Sequence, residues 1–98
     1  MKIEYTDVAI NDLVRLREFI AEHNPQAAQK IARRLVVGIE QLLQQPRLGH
    51  PVRRAPDPER MRDLVLGRYV VRYTLLENVV LILRVWHHRE DRDDEDIL

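Results

Sequence analysis

The chain has 98 residues, enough for one domain with a thin core. It contains no cysteine, which excludes disulfide bonds, thiolate metal sites and cysteine nucleophiles. Sixteen basic and sixteen acidic residues cancel, so the overall charge gives no indication of nucleic-acid binding. No apolar run approaches the roughly 20 residues of a membrane span, and the N-terminus lacks the apolar stretch of a signal peptide. We expect one soluble, cytoplasmic domain over residues 1–98, with no membrane contact.

The charges are unevenly distributed along the chain. Residues 90–98 hold six acids and one arginine, whereas residues 47–72 hold seven arginines. An acidic tail of this kind is typical of a solvated, frayed terminus. The alternative is that the tail masks a basic surface of the same chain or docks elsewhere.

The first elements are a short strand and a helix. Alternating apolar and polar residues predict a strand at Ile3–Tyr5. Thr6 provides a helix N-cap, and the apolar spacing that follows predicts a helix over Asp7–His23. The apolar stripe comprises Ala9, Leu13, Leu16 and Ile20. Asp12 and the other charged residues are expected on the solvent side.

A second helix follows almost at once. Asn24 can cap it and Pro25 suits its first position, so we predict a helix over Pro25–Gln45. Two helices joined by so short a link pack antiparallel as a hairpin. Gly38 lies inside the second helix and costs about 1 kcal/mol relative to alanine. Either a close crossing with the first helix requires it, or it is a tolerated weak point.

The remainder predicts a loop and a meander of strands. The segment from Pro46 to Arg60 is rich in proline and arginine and has no periodicity, as in a functional or solvated loop. After Met61, three strands are separated by turns at Gly67 and at Glu77-Asn78. The fold class is α+β: an N-terminal strand, an antiparallel helical hairpin and a three-stranded antiparallel meander.

Two segments resemble a known family. The segments Arg68–Tyr73 and Leu83–Asp91, with Ile82–Asp91 the most specific part, resemble the RelE/ParE toxin superfamily of type II toxin–antitoxin systems. The resemblance covers nearly the whole chain and implies a fold of the type predicted above. It also implies a cognate antitoxin, ParD-like or similar, that forms a hetero-oligomer with the toxin, and a role in plasmid stabilization.

The superfamily contains two activities. RelE-like members cut messenger RNA on the ribosome and carry a phosphate-holding arginine three residues before a tyrosine that matches Tyr73. Here that position is Val70, which cannot hold a phosphate. The resemblance is therefore to the ParE-like branch, which implies inhibition of DNA gyrase by binding, without an enzymatic reaction, a cofactor or a metal. A ribosome-dependent mRNA endonuclease and a non-toxic antitoxin-binding module remain the alternatives.

The candidate residues for toxic activity lie on or beside the predicted sheet. They are Arg62, Arg72, Arg84, Trp86, His87, His88 and Arg89. Arginine pairs with phosphate and histidine titrates near neutral pH, so these residue types also suit RNA cleavage. In a strand, Arg84, Trp86 and His88 share one face, whereas the adjacent His87 and His88 point to opposite faces and cannot easily chelate one ion. The segment Trp86–Arg92 is the expected gyrase contact.

An antitoxin is expected to cover apolar surface that two helices and one small sheet cannot bury. The candidates are Leu13, Val36, Val37, Leu43, Val70, Val80 and Ile82. Exposed apolar patches of a few hundred Å² usually mark binding sites. Self-association of the chain through the same patch is the alternative.

Overall fold

A computed structural model describes residues 1–89, so the acidic segment 90–98 and the last three residues of the expected gyrase contact lie outside the described residues. The elements in chain order are β1 (Lys2–Tyr5), α1 (Asp7–His23), α2 (Pro25–Glu40), β2 (His50–Pro51), β3 (Met61–Leu66), β4 (Tyr69–Leu76) and β5 (Val79–His87). The sheet order is β1-β5-β4-β3-β2, with β1 parallel to β5 and the other neighbours antiparallel. The predicted α+β class and the meander are confirmed.

Both helices begin where their capping residues predict. The Thr6 hydroxyl accepts a hydrogen bond from the Ala9 N–H at 3.0 Å, and the Asn24 side chain accepts one from the Ala27 N–H at 3.2 Å. The predicted end of the second helix at Gln45 is wrong. The α-helix stops at Glu40 and tightens into a 3₁₀ turn over Gln41–Leu43. This turn contains Leu42, whose side chain is fully buried in the core.

Gly38 is explained by the sheet and not by the first helix. A Cβ built at Gly38 would lie 2.5 Å from Cδ2 and 2.6 Å from Cδ1 of Leu66 in β3. The absence of a side chain therefore lets α2 approach β3 closely.

The core lies between the helices and one face of the sheet, and it contains two residues that we expected at the surface. Val80 and Ile82 are fully buried beside Val71, Tyr73 and Val85. The prediction that Val80 and Ile82 are available to an antitoxin is therefore wrong.

The reason is an irregularity in β5. Tyr73 pairs with Ile82, but the next residue back along β4, Arg72, pairs with Arg84, so Leu83 has no partner. Such a bulge shifts the alternation of side chains by one residue. Before it, Val80 and Ile82 face the helices, and after it Trp86 faces the opposite side.

The loop after α2 is more ordered than its composition suggests. The short strand β2, which the sequence did not predict, pairs His50 with Asp63 and Pro51 with Arg62. The hydroxyl of Tyr73 accepts a hydrogen bond from the Gly49 N–H at 2.9 Å and donates one to the Pro46 carbonyl at 2.7 Å. These contacts fasten the start of the loop to the sheet.

Candidate functional site: the open face of the sheet and the interhelical groove

The face of the sheet that points away from the helices is here called the open face. In the strand register, Val65 lies opposite Val70, which lies opposite Trp86, and Asp63 lies opposite Arg72. Val65 is 56% exposed, whereas Arg72 and Trp86 are buried. The open face thus combines an apolar strip with one buried cation.

Arg72 is held by a carboxylate of the neighbouring strand. Its Nε lies 2.8 Å from Oδ1 of Asp63, and its Nη2 lies 2.9 Å from Oδ2. This is the bidentate arrangement in which a guanidinium binds a carboxylate or a phosphate most strongly. The centre of the same guanidinium lies 5.1 Å from the Trp86 ring, within the range of a cation–π contact.

Arg84 is held by a second carboxylate, at the edge of β5 beyond the end of β1. The Arg84 Nε lies 2.9 Å from Oδ2 of Asp12 in α1, and the same oxygen accepts a hydrogen bond from the Val85 N–H at 2.9 Å. The prediction that Asp12 faces solvent is wrong, because it is only 5% exposed. Its spacing was the missed signal: Asp12 comes three residues after Ala9 and four before Leu16, on the buried stripe.

Arg62 lies on the opposite face of the sheet from Arg72 and holds the loop in place. Its Nη1 donates to the carbonyls of Gly49 at 2.9 Å and Arg47 at 3.2 Å, and its Nε donates to the carbonyl of Glu59 at 2.8 Å. Its Nη2 also pairs with the Glu59 carboxylate at 3.1 Å. Since the side chain is buried and all three of its nitrogens donate to residues of the loop, the structure gives Arg62 a role in holding the loop.

The histidines at the end of β5 do not point to opposite faces. The rings of His87 and His88 stack with centroids 4.8 Å apart, and His87 also meets Tyr69 edge-on at 5.2 Å. The expectation of opposite faces is wrong because the strand ends at His87. His88 already belongs to the following turn, where its N–H donates to the Arg68 carbonyl at 2.8 Å.

Among residues 86–89, His88 and Arg89 are the exposed ones. Within residues 1–89, no three histidine, aspartate or glutamate side chains are grouped as metal ligands would be. The same part of the chain contains no helix of the length and apolarity needed to cross a membrane.

An apolar groove of about 190 Å³ runs between α1 and α2. Here the groove means this space and the residues that line it, which include Leu13, Val14 and Ile20 of α1 and Ile31, Leu35 and Val36 of α2. Arg17 is also part of the lining. The structure thus brings together two of the predicted antitoxin-binding residues, Leu13 and Val36.

The other predicted antitoxin-binding residues are spread over different surfaces. Val37 is 57% exposed on α2, next to Val36 at 51%, and Leu43 is 42% exposed in the 3₁₀ turn. Val70 is half-buried on the open face, on the other side of the sheet. A single partner segment therefore cannot lie in the groove and on Val70 at once without passing around the sheet.

Known proteins with similar sequences or folds agree with this architecture. A family described as "ParE toxin of type II toxin-antitoxin system, parDE" matches residues 3–92. Toxin RelE2 of Caulobacter vibrioides is 31% identical over 87 residues, covering 88% of this chain and 93% of the relative. Toxin RelE1 of the same organism is 31% identical over 86 residues, covering 86% and 89%.

A solved structure supports the fold independently. It is described as "Chromosomal ParDE TA system from P. aeruginosa", and it superposes with a TM-score of 0.75 over 89% of this chain and 95% of that one, at 21% identity. The family match and the two relatives show that the chain belongs to the ParE toxin family of type II toxin–antitoxin systems.

Proposed function

We propose that the chain is a toxin that inhibits DNA gyrase by binding, and that a cognate antitoxin neutralises it. One observation carries the choice of target: carboxylates of the same chain bind the arginines of β4 and β5 that could otherwise hold an RNA phosphate. RNA cleavage needs preorganised cations around the reacting phosphate. Here Arg72 is engaged by Asp63, Arg84 is engaged by Asp12, and Val70 is aliphatic.

The proposed gyrase contact is the end of β5 and the turn that follows. His88 and Arg89 are exposed there, and both lie in the segment that the sequence indicates. Trp86 is buried and His87 packs on Tyr69. We assign these two a supporting role and give the exposed pair the direct contact.

The experiment compares supercoiling by purified gyrase with and without the toxin, alongside cleavage of messenger RNA on ribosomes. We expect supercoiling to be lost and RNA to stay intact. The variant His88→Ala/Arg89→Ala should restore supercoiling. The matched control His50→Ala/Arg53→Ala removes the same two residue types from exposed positions in and after β2 and should inhibit like wild type.

Each other outcome has a definite meaning. Codon-phased RNA breaks with unaffected gyrase would identify a ribosome-dependent endonuclease. Inactivity in both assays, with antitoxin binding retained, would identify a non-toxic antitoxin-binding module. Either result contradicts gyrase inhibition.

The antitoxin is proposed to bind in the groove. Apolar residues and Arg17 line the groove, and the exposed cations Lys30, Arg33 and Arg34 lie on α2 outside this lining. This chemistry fits an amphipathic, acidic segment that places its apolar side chains between α1 and α2. The charges guide association, and the apolar burial supplies affinity.

Two valines test this location. Val36→Glu places a charge at the groove, whereas Val65→Glu places the same charge on the open face at a position of similar exposure, 56% against 51%. We expect only Val36→Glu to prevent co-purification with the product of the neighbouring gene. If only Val65→Glu does so, the antitoxin covers the open face. Sedimentation of the lone chain as a homodimer that Val36→Glu dissociates would mean that the groove serves self-association.

A further inference from the structure

We infer that Asp63 is a specificity-determining residue: it occupies Arg72 as an internal substitute for a phosphate and so keeps RNA off the open face. The inference rests on the proposed function, in which the toxin acts on gyrase and RNA is not its target. It goes beyond that function by naming the residue that prevents the toxin from binding RNA.

The geometry shows why Asp63 competes with RNA. Both oxygens of its carboxylate engage Arg72, at 2.8 Å from Nε and 2.9 Å from Nη2. A phosphate would use the same pair of parallel N–H donors, since a guanidinium binds either anion through this fork. The two anions therefore exclude each other at one site.

The same pair affects the tryptophan. The guanidinium that Asp63 holds lies over the Trp86 ring at 5.1 Å. Single-stranded nucleic acids bind proteins largely by stacking bases on such aromatic rings. Asp63 thus fixes the Arg72 guanidinium against one face of the Trp86 indole. An RNA site would need a guanidinium for the phosphate and an aromatic ring for a base, and here both groups already contact residues of the same chain.

The pair is close enough to the surface for a ligand to reach it once the carboxylate is neutralised. The Asp63 side chain is 25% exposed and the Arg72 side chain 11% exposed. By contrast, Asp12, which holds Arg84, has a side chain only 6% exposed and also accepts the Val85 N–H. A substitution at Asp63 should therefore release Arg72 for an external anion with less loss of stability than a substitution at Asp12 would cause.

The test is Asp63→Asn, which removes the charge and keeps the shape of the side chain. The probe is a single-stranded oligouridylate of about twelve nucleotides, within the usual span of a single-strand site. One new charge-assisted contact predicts affinity about tenfold tighter than wild type at low salt. It also predicts a plot of log affinity against log salt that is steeper by about 0.7 for each phosphate held.

Trp86 supplies a second, local readout because it is the only tryptophan in the chain. We expect the RNA to quench its emission in Asp63→Asn and to leave it unchanged in wild type. The matched control Asp57→Asn makes the same chemical change in an exposed pair with Arg60, where the two atoms lie 3.4 Å apart. It should show neither the steeper slope nor the quenching. Adding Arg72→Gln to Asp63→Asn should abolish the gain.

Three results would overturn the inference. They are an equal gain in Asp57→Asn, no gain in a folded Asp63→Asn, and quenching of Trp86 by RNA in wild type at low salt. The last uses the unaltered chain and decides the matter even if Asp63→Asn does not fold. The assay contains no gyrase and no ribosome. A failure here therefore says nothing about gyrase inhibition, which the supercoiling experiment tests separately.

Discussion

On the sheet, Arg72 and Arg84 each hold a carboxylate of the same chain, whereas Lys30, Arg33 and Arg34 on α2 form no ion pair with any residue between 1 and 89. The first two are largely withdrawn from solvent, and the other three are exposed. Composition treats all five alike, as positive charge. The structure separates the charges that hold the fold from the charges that remain available to a partner.

The two groups of cations therefore affect different quantities, stability for the sheet and association for α2. Breaking a buried ion pair leaves a charge without compensation, which costs far more than the intact pair contributes. Removing an exposed, solvated cation has little effect on stability but changes the field that a partner meets. Substitutions on the sheet should therefore change the free energy of unfolding, and substitutions on α2 should change association.

The largest expected effect is that of Asp12→Ala. It removes the buried carboxylate that binds Arg84 and that accepts the hydrogen bond of the buried Val85 N–H. Loss of one member of a buried pair costs about 3–5 kcal/mol, a large part of the stability of a small domain. Urea unfolding followed by circular dichroism measures it.

The control for Asp12→Ala is Asp57→Ala, which breaks the exposed pair with Arg60. Surface pairs contribute about 0–1 kcal/mol. If the two variants lose similar amounts of unfolding free energy, the buried ion pair with Arg84 stabilises the fold no more than an exposed pair does.

A smaller loss of stability is expected from Tyr73→Phe. This variant removes an uncharged hydrogen-bonding group from the interior, whereas Asp12→Ala removes a charged one. The change removes the hydroxyl that receives the Gly49 N–H and donates to the Pro46 carbonyl. An unsatisfied buried donor costs about 1–3 kcal/mol. The unfolding transition measures the loss, and faster cleavage by a protease within residues 46–51 should accompany it. Unchanged stability would show that the loop is not fastened by this hydroxyl.

The same residue predicts an alkaline limit to stability. Burial raises the pKa of Tyr73 above its usual value of 10.0, although the Gly49 hydrogen bond and the charge of Arg62 oppose the shift. Above pH 10 the folded chain therefore retains a proton that the unfolded chain has lost, so the free energy of unfolding falls as pH rises. Tyr73→Phe should reduce this fall, and an identical alkaline slope in both chains would contradict the assignment.

On α2, Arg33→Ala/Arg34→Ala should leave the free energy of unfolding within about 0.5 kcal/mol of wild type. Association with an acidic antitoxin should instead slow by about tenfold at low salt and recover at high salt, as electrostatic steering does. Stopped-flow binding at several salt concentrations checks this. The control Arg53→Ala/Arg68→Ala removes the same charge from exposed turns elsewhere, and an equal slowing there would show that net charge alone is responsible.

The elements of the fold were predictable because their signals are local. Thr6, Asn24 and Pro25 determine where the helices start, and Gly67 and Asn78 both adopt positive φ in the predicted turns. Apolar periodicity identified the helix stripes and the strands around these signals. Local patterns were therefore sufficient for the order of the elements except β2, which forms by pairing with β3.

The sites were less predictable because they depend on partners distant in the chain. The bulge at Leu83 reverses which residues of β5 face the helices, and alternation alone assigned Val80 and Ile82 to the wrong environment. Asp63 is nine residues from Arg72, and Asp12 is seventy-two from Arg84. An arginine on a predicted strand looks equally available whether or not a carboxylate meets it.

The smallest effect concerns the contact between the two regions, where Gly38 of α2 meets Leu66 of β3. Gly38→Ala gains about 1 kcal/mol from helix propensity. However, the added methyl would lie 2.5 Å from Leu66 Cδ2, and overpacking of this kind costs about 1–3 kcal/mol. In wild type the substitution should therefore be slightly destabilising. In a Leu66→Ala background the obstructing atoms are gone, and the same substitution should stabilise by about 1 kcal/mol. Urea unfolding of wild type, the two single variants and the double variant gives the effect of Gly38→Ala in each background. If Gly38→Ala has the same sign in both, α2 does not need the glycine to approach β3, because only the contact with Leu66 can reverse that sign.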